Sequence, residues 1–396
     1  MNKTTDFLIL GGGIIGLSIA RELQKRHQDC LITILEKEKN IGEHASGRNS
    51  GVLHSGVYYP EDSLKAKFTK DGNRLWQNYC EEKNLYLDKC GKLIVATSAE
   101  ELEGLDIIEN RAFDNHVPIE RLDSSQALEI EPRIKIFESA LFVPSTATID
   151  PAEINESMLS DFKLQGGEIL LNCSYLKKLK DNTVLTSNGT ISAGFIINCA
   201  GLYADRVAHD FDMGLEYTML PFKGLYLYSS IKEIAPRVHI YPVPDLKNPF
   251  LGVHLTRTIN GGIKVGPTAM PALWRESYSG LKNFNFRELF EISSREAAMF
   301  FLNKNSFPKL AYDELKKQSK RVLIKDASRL INDIENMQFT SWGRPGIRAQ
   351  LVSKKSNELV MDFLIEHDDK SMHILNAVSP AWTCALSFSK YVVDKI

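Results

Sequence analysis

The chain has no long apolar run. Its most apolar stretch, residues 7–20, is interrupted by glycines, whereas a bilayer-spanning helix needs about 20 consecutive apolar residues. A transmembrane helix is therefore not expected. A disulfide framework is also missing. The six cysteines stand at 30, 80, 90, 173, 199 and 384, with no C-x-x-C pair and no Cys/His cluster at zinc spacing. That pattern suits scattered buried thiols in a reducing, cytoplasmic compartment, and no metal site is expected. Charge of one sign is lacking too: 48 basic and 50 acidic residues leave a net −2. Without a polybasic run, no nucleic-acid partner is expected. Internal repeats and low-complexity segments are absent. The first strand is expected about six residues after Met1, so no leader sequence is expected.

What the chain does have is length and one strong motif. Its 396 residues exceed a single simple core and suit two domains. The apolar run at 7–10 reads as a buried parallel strand. It turns through Gly11, Gly13 and Gly16 and continues as a helix with Ile15, Ile19, Ala20 and Leu23 at helical spacing. The glycines satisfy G-x-G-x-x-G. Gly11 permits the tight turn, Gly13 lets backbone approach a pyrophosphate, and Gly16 lets helix pack on strand. The helix amino terminus, at Ile14 and Ile15, then offers unpaired N–H groups to phosphate. Chance alone produces about 0.1 such triplets in a chain of this composition, so context decides. A second apolar run at 31–35 ends on Glu36, twenty positions after Gly16. An acid there accepts hydrogen bonds from a ribose 2′-hydroxyl and repels a 2′-phosphate. Lys37 follows it. The bland alternative is a βαβ unit without a ligand.

The 45–59 segment is dense in Gly, Ser and Asn. Its small residues allow backbone to approach a flat ligand, with Ser46, Asn49, Ser50, Gly51 and Val52 at its edge, or else form a plain Gly-rich connection. Helices are expected at 63–83, with Trp76 in the core, and at 99–115, 124–131 and 152–165, the last capped by Asp150 before Pro151. A second strand-to-glycine turn comes at 194–201, ending on Ala200 and Gly201, as a cofactor gripped by a discontinuous domain requires. From Leu220 the texture turns to short antiparallel strands at 221–228, 237–241, 250–257 and 262–266. Asn260-Gly261 marks a hairpin between the last two. Helices at 284–302 and 312–334, a Gly/Pro-broken segment at 339–350, two closing strands and a helix within 379–395 complete the chain.

These motifs resemble the D-amino-acid-oxidase-like FAD oxidoreductases. Within that group, longer strings are similar to the L-2-hydroxyglutarate oxidase/dehydrogenase family. They include Gly47-Arg-Asn-Ser-Gly-Val-Leu-His-Ser-Gly-Val-Tyr-Tyr59, Ser63-Leu-Lys-Ala-Lys67, Cys90-Gly-Lys-Leu-Ile-Val-Ala-Thr-Ser98 and Tyr241-Pro-Val-Pro-Asp245. Others are Pro249-Phe-Leu-Gly-Val-His-Leu-Thr-Arg257, Val265-Gly-Pro267, Gly346-Ile-Arg-Ala-Gln350 and Asn376-Ala-Val-Ser-Pro-Ala-Trp-Thr383. The likeness runs nearly end to end. It implies an α/β fold: a discontinuous Rossmann-like FAD-binding domain (1–84, 145–215, 336–396) with a second domain of antiparallel sheet and helices for substrate (85–144, 216–335). It also implies that the string holding Pro380 and Ala381 lies near the flavin ring. Two departures from the family pattern stand out: Arg48 replaces the usual His, and in the C-terminal string Val378 and Trp382 replace small residues. Either departure bears on the substrate.

The resemblance implies oxidation of L-2-hydroxyglutarate to 2-oxoglutarate. Electrons would pass to oxygen, a quinone or an electron-transfer protein. A quinone implies peripheral membrane contact, on the inner face, through the C-terminal helix with Phe388, Tyr391 and Val392; the alternative is that this apolar face is simply core. The alternatives are oxidation of another 2-hydroxy acid or of an amino acid or amine, and a non-enzymatic protein on the same fold. The chemistry asks for a base near neutrality, for which His54 and His254 are the candidates. A small dicarboxylate also asks for cationic anchors. Arg257 and Arg348 come first and Lys223 and Arg48 next, with Tyr58 and Tyr241 bonding a carboxylate edge and Trp382 narrowing the pocket. Each has a structural alternative: a histidine bonded within sheet or loop, a surface salt bridge for Arg348, a strand-end charge for Arg257.

Overall fold

The computed structural model describes residues 2–229, 231–245, 251–302 and 307–396. The apolar runs assemble first into a parallel sheet. Strand Asn2–Leu10 lies between Ile32–Leu35 and Gly189–Asn198. Glu168–Leu170 extends one side and Ser371–Asn376 the other, all parallel. Taken along the chain, the order is third, second, first, fourth, fifth, that of a doubly wound dinucleotide-binding sheet. Both faces are buried, which is why these strands read as continuous apolar runs. Ile9, Ile32, Ile34, Ile197 and Met372 pack on one side against helices Ile14–Arg26, Leu64–Lys83, Pro151–Leu164 and Ala381–Val393. Leu8, Leu10, Leu35 and Ile196 pack on the other against Val207 and Phe211. Trp76 is fully buried in the first core. Asp150 accepts hydrogen bonds from the amides of Ala152 and Glu153 and so caps its helix.

A second eight-stranded sheet runs in the order Ser341–Trp342, Leu227–Ser229, Ile263–Gly266, His254–Arg257, His239–Pro242, Lys92–Val95, Ser139–Val143, Glu120–Asp123. Its register separates two faces. Leu93, Ile240, Leu255 and Val265 stand side by side and belong to one apolar core. Strand alternation then turns Lys92, His239, Tyr241, His254, Thr256 and Lys264 to the opposite face. That polar face carries the site described below.

Four expectations change. The sheet is not wholly antiparallel, because His239–Pro242 and Lys92–Val95 pair in parallel; segments this far apart in sequence are not joined by a hairpin. The strand expected at 221–228 is two strands in different sheets. Tyr217–Gly224 pairs with Gly346–Ser353 in a three-stranded sheet, and Leu227–Ser229 joins the eight-stranded one. The helix expected at 312–334 is Phe307–Lys316 and Lys320–Ala327, parted at Ser319, whose backbone is extended. The strand expected at 250–257 forms over His254–Arg257; Phe250, with Pro249, lies outside the described residues. The Asn260-Gly261 turn is where it was expected, with Gly261 at φ +79°.

Among the described residues, no helix is long and apolar enough to cross a membrane. The C-terminal helix does not offer the apolar surface expected of it. Phe388 and Val392 are fully buried, and Tyr391 packs with its ring centroid 5.2 Å from that of Phe68.

Candidate active site

The carboxyl ends of Asn2–Leu10 and Gly189–Asn198 meet where the strand order reverses, the place at which such sheets bind ligands. Gly11 has φ +116°, and a Cβ there would lie 2.4 Å from the carbonyl oxygen of Cys199. Only glycine fits. Gly16 is as constrained: a Cβ would lie 2.0 Å from the Gly11 carbonyl oxygen. Helix Ile14–Arg26, whose first amide at Ile14 donates to Ser46 Oγ rather than standing unpaired as expected, starts at Gly13 with no acid in its first turn. Its positive end therefore faces the cavity without a competing carboxylate from the chain. Glu36 is held on both sides, Oε2 accepting from the amide of Gly12 at 3.0 Å and Oε1 from that of Glu38 at 2.9 Å. Asn198 steadies the second turn: its Oδ1 accepts from the Ala200 amide, and its Nδ2 donates to the Ala204 carbonyl.

A cavity of about 970 Å³ runs from these turns to the polar face of the second sheet. Of the expected cofactor residues, Gly11, Gly13, Ile14, Ile15, Glu36, Lys37, Ser46, Asn49, Ser50, Val52, Ala200, Gly201, Pro380 and Ala381 line it. Gly16 and Gly51 stand behind the lining. The 45–50 loop is braced from several directions. Ser46 Oγ accepts from the Ile14 amide at 2.9 Å, and its carbonyl accepts from Asn49, Asn155 and Trp382. Lys264 Nζ lies 2.6 Å from the Ser50 carbonyl oxygen. Trp382 lines the cavity as expected and also packs on Trp76, ring centroids 4.6 Å apart, tying the loop to the helices.

At the far end, His54, Tyr241, His254, Arg348, Tyr226 and Phe222 line the cavity. His254 stacks on Tyr241 with centroids 3.8 Å apart and 16° between planes. Its Nδ1 lies 3.0 Å from the Gly252 carbonyl oxygen. A carbonyl only accepts, so Nδ1 carries the proton and Nε2 keeps a lone pair. Burial, with Lys92 and Arg348 nearby, draws His54 down to about 3. Burial, with His54, Lys92 and Lys264 nearby, draws His254 to about 3 as well, against the contrary pull of Gly252. Burial also lowers Arg348 below its usual range.

Three expected substrate residues lie outside the cavity lining. Arg257 is three positions after His254 on a strand, so alternation turns it to the other face. There its Nε meets Asp88 Oδ2 at 2.7 Å and its guanidinium meets the Pro236 carbonyl. The strand-end charge, not the substrate anchor, describes it. Lys223 is turned away by the same alternation, since its neighbour Phe222 faces the cavity. Tyr58 is buried one layer behind the wall. Arg48 does line the cavity but is already engaged: Nε donates to the Glu43 carbonyl at 2.5 Å, a second nitrogen donates to the Pro345 carbonyl at 3.2 Å, and the guanidinium lies 4.4 Å from the Tyr278 ring centroid. Sequence reasoning missed Tyr226, Lys264 and Lys92. Lys264 could have been found by extending the period-two pattern from His254 across the Asn260-Gly261 hairpin; Lys92 could not, because its strand meets His239 from a distant part of the chain. Glu38, His44 and Glu276 bring three ligand atoms within 4.8 Å. The Lys37 ammonium pairs with both of those carboxylates and supplies the countercharge.

A doubly wound sheet, a glycine cradle at its switch point and a cavity reaching a second sheet define a dinucleotide-dependent oxidoreductase. The chain belongs to the family described as FAD-dependent oxidoreductases (DAO), whose model matches residues 6–395. It is 36% identical to the L-2-hydroxyglutarate dehydrogenase of Escherichia coli K12, covering 99% of this chain and 93% of that one. It is 32% identical to the mitochondrial L-2-hydroxyglutarate dehydrogenase of Homo sapiens, covering 99% and 88%. Among solved structures, the FAD-bound L-alpha-glycerophosphate oxidase of Mycoplasma pneumoniae superposes with TM-score 0.78 at 24% identity, over 99% of this chain and 94% of that one. Glycine oxidase of Geobacillus kaustophilus superposes with TM-score 0.73 at 18% identity, over 99% and 94%. The cofactor is FAD. The residues present suit it: a helix amino terminus free of acidic side chains for diphosphate, an acid at the ribose position, and a cradle with no room for a side chain at Gly11.

Proposed function

We propose that the chain oxidises L-2-hydroxyglutarate to 2-oxoglutarate. The observation that carries this reading is the single cavity that joins the glycine cradle to a wall holding a buried imidazole with a free lone pair, His254, and a guanidinium, Arg348. The near full-length likeness to L-2-hydroxyglutarate dehydrogenases supports the substrate.

FAD supplies the acceptor for the hydride that leaves Cα. The chain's own residues bind, orient and take the proton. Arg348 holds the carboxylate next to the reacting carbon. His254 Nε2 takes the hydroxyl proton, its ring locked in place by Gly252 and Tyr241. We assign the base to His254 over His54 because its tautomer is set by a backbone carbonyl. The free site keeps the imidazole neutral, and a negatively charged substrate arriving beside it raises its basicity. The burial that makes the empty site unwelcoming to a proton thus prepares it to receive one only with substrate present.

The test is anaerobic mixing of holoenzyme with L-2-hydroxyglutarate or its D-enantiomer. Bleaching of the oxidised flavin by the L form alone is expected. No bleaching by either, with bleaching by an L-amino acid, refutes the substrate.

A further inference from the structure

Residues 274–278 follow the short strand Met270–Pro271 and precede the helix Phe286–Phe301. Trp274, Arg275, Glu276 and Tyr278 are all buried, although a connection of this kind normally runs over the surface. Three of them bond the loops of the cofactor-binding sheet. Arg275 meets Asp205 with two nitrogens, Nη1 to Oδ1 at 2.5 Å and Nη2 to Oδ2 at 2.7 Å, and also donates to the Leu202 carbonyl. Glu276 takes the Lys37 ammonium, and the Tyr203 hydroxyl bonds the same carboxylate. The Tyr278 hydroxyl lies 2.9 Å from His44 Nδ1, and its ring centroid lies 4.4 Å from the Arg48 guanidinium.

These partners place the segment. Lys37 comes just after strand Ile32–Leu35, and Leu202, Tyr203 and Asp205 come just after strand Gly189–Asn198. Those two strands flank Asn2–Leu10, whose carboxyl end is the Gly11–Gly16 turn. A segment tied to both neighbours therefore spans the carboxyl end of the strand between them, where the glycine cradle lies. Lys37, His44, Arg48, Leu202 and Tyr203 line the cavity, whereas Glu276 and Tyr278 stand outside its lining. The segment thus draws two loops of the cofactor site together from outside. Its two fastenings differ. The Arg275 and Asp205 side chains are 2% and 1% exposed, and parting a pair so deeply buried would strand both charges. The Lys37 and His44 side chains are 34% and 26% exposed, so water can replace their partners. The Arg275 end is the anchor, and the Glu276 and Tyr278 end is the one that opens.

We propose that residues 274–278 form a strap across the FAD site that opens at its Lys37 and His44 end, and that FAD enters and leaves only when it does. Glu276 and Tyr278 are then positioning residues that set the rate of cofactor exchange. The same contacts close the apoprotein and the holoprotein. Weakening them raises the open fraction of each, so entry and release quicken together. A contact that merely steadied the fold would quicken release alone. Entry is measured by stopped-flow quenching of FAD fluorescence on mixing with apoprotein, and release by its recovery when holoprotein is diluted. Glu276→Gln keeps the shape of the side chain and loses the charge-assisted bond to Lys37. Both rates should rise about tenfold, with the dissociation constant changed by less than about threefold. Tyr278→Phe, which loses only the hydroxyl, should raise both about threefold. Release that quickens without entry, rates that stay at the wild-type values in both variants, or FAD that never leaves the wild type overturns the strap. Exchange is read without substrate, so the result does not depend on which hydroxy acid the enzyme oxidises.

Discussion

Replacing His254 by glutamine isolates the base. Glutamine keeps a polar group where Nε2 stood but cannot take a proton at neutral pH. General-base catalysis is worth roughly 10²–10⁴ in rate, or about 2.7–5.5 kcal/mol of barrier. Loss of the Tyr241 stack costs about 1 kcal/mol of stability in addition, small enough for the variant to fold. The assay is single-turnover flavin reduction by L-2-hydroxyglutarate without oxygen, so that reoxidation plays no part. His254→Gln should reduce the flavin at least 100-fold more slowly, while binding of glutarate, a dicarboxylate that cannot react, changes little, because the Arg348 anchor is intact. His54→Gln should slow it less than tenfold. The tautomer is the crux: Nδ1 spends its proton on Gly252 at 3.0 Å, which leaves Nε2 as the basic nitrogen. If His254→Gln stays within tenfold of wild type while His54→Gln falls 100-fold, the reasoning from the backbone carbonyl is refuted and the base is His54.

Two further outcomes follow from the geometry. Arg257→Ala should leave kcat/KM within threefold and cost about 1 kcal/mol in a denaturant melt, since Arg257 serves a partly exposed pair with Asp88. Arg348→Ala should lower kcat/KM at least tenfold, about 1.4 kcal/mol; the reverse pattern would restore Arg257 to the site. Acid should destabilise the apoprotein through its buried histidines. His54 and His254 are held near 3 when folded and revert to about 6.5 when unfolded, so the unfolded chain binds more protons between those values. Stability is fully present above about pH 6.5 and falls as pH drops toward 3, by about 2 kcal/mol per histidine at pH 5. Urea melts at pH 7.5 and 5 measure it, and a His54→Gln/His254→Gln double variant that loses as much as wild type would contradict it.

The sequence by itself determined the elements whose shape depends on near neighbours. The Gly11, Gly13 and Gly16 turn is legible because backbone at φ +116° and a helix pressed on a strand leave no room for Cβ. Asp150 as a cap and Asn260-Gly261 as a hairpin turn are legible for the same reason, since a side chain bonding two or three residues on is local. The apolar runs of the parallel sheet announce burial on both faces. Arg257 was legible in principle: three steps along a strand from His254 is an odd number, and an odd number means the opposite face. Lys92 was not. Its strand reads as ordinary, and its chemistry appears only once it pairs with His239, from a distant part of the chain. Likewise nothing local assigns Phe388 and Val392 to a core rather than a surface; the helix against which they pack, Leu64–Lys83, decides it. Turns and periodicities follow from the dihedral angles and spacing of adjacent residues, whereas burial and charge environment come from partners that only the folded chain brings together. For that reason the cofactor cradle could be read from the primary structure, and the identity of the substrate anchors had to wait for the tertiary one.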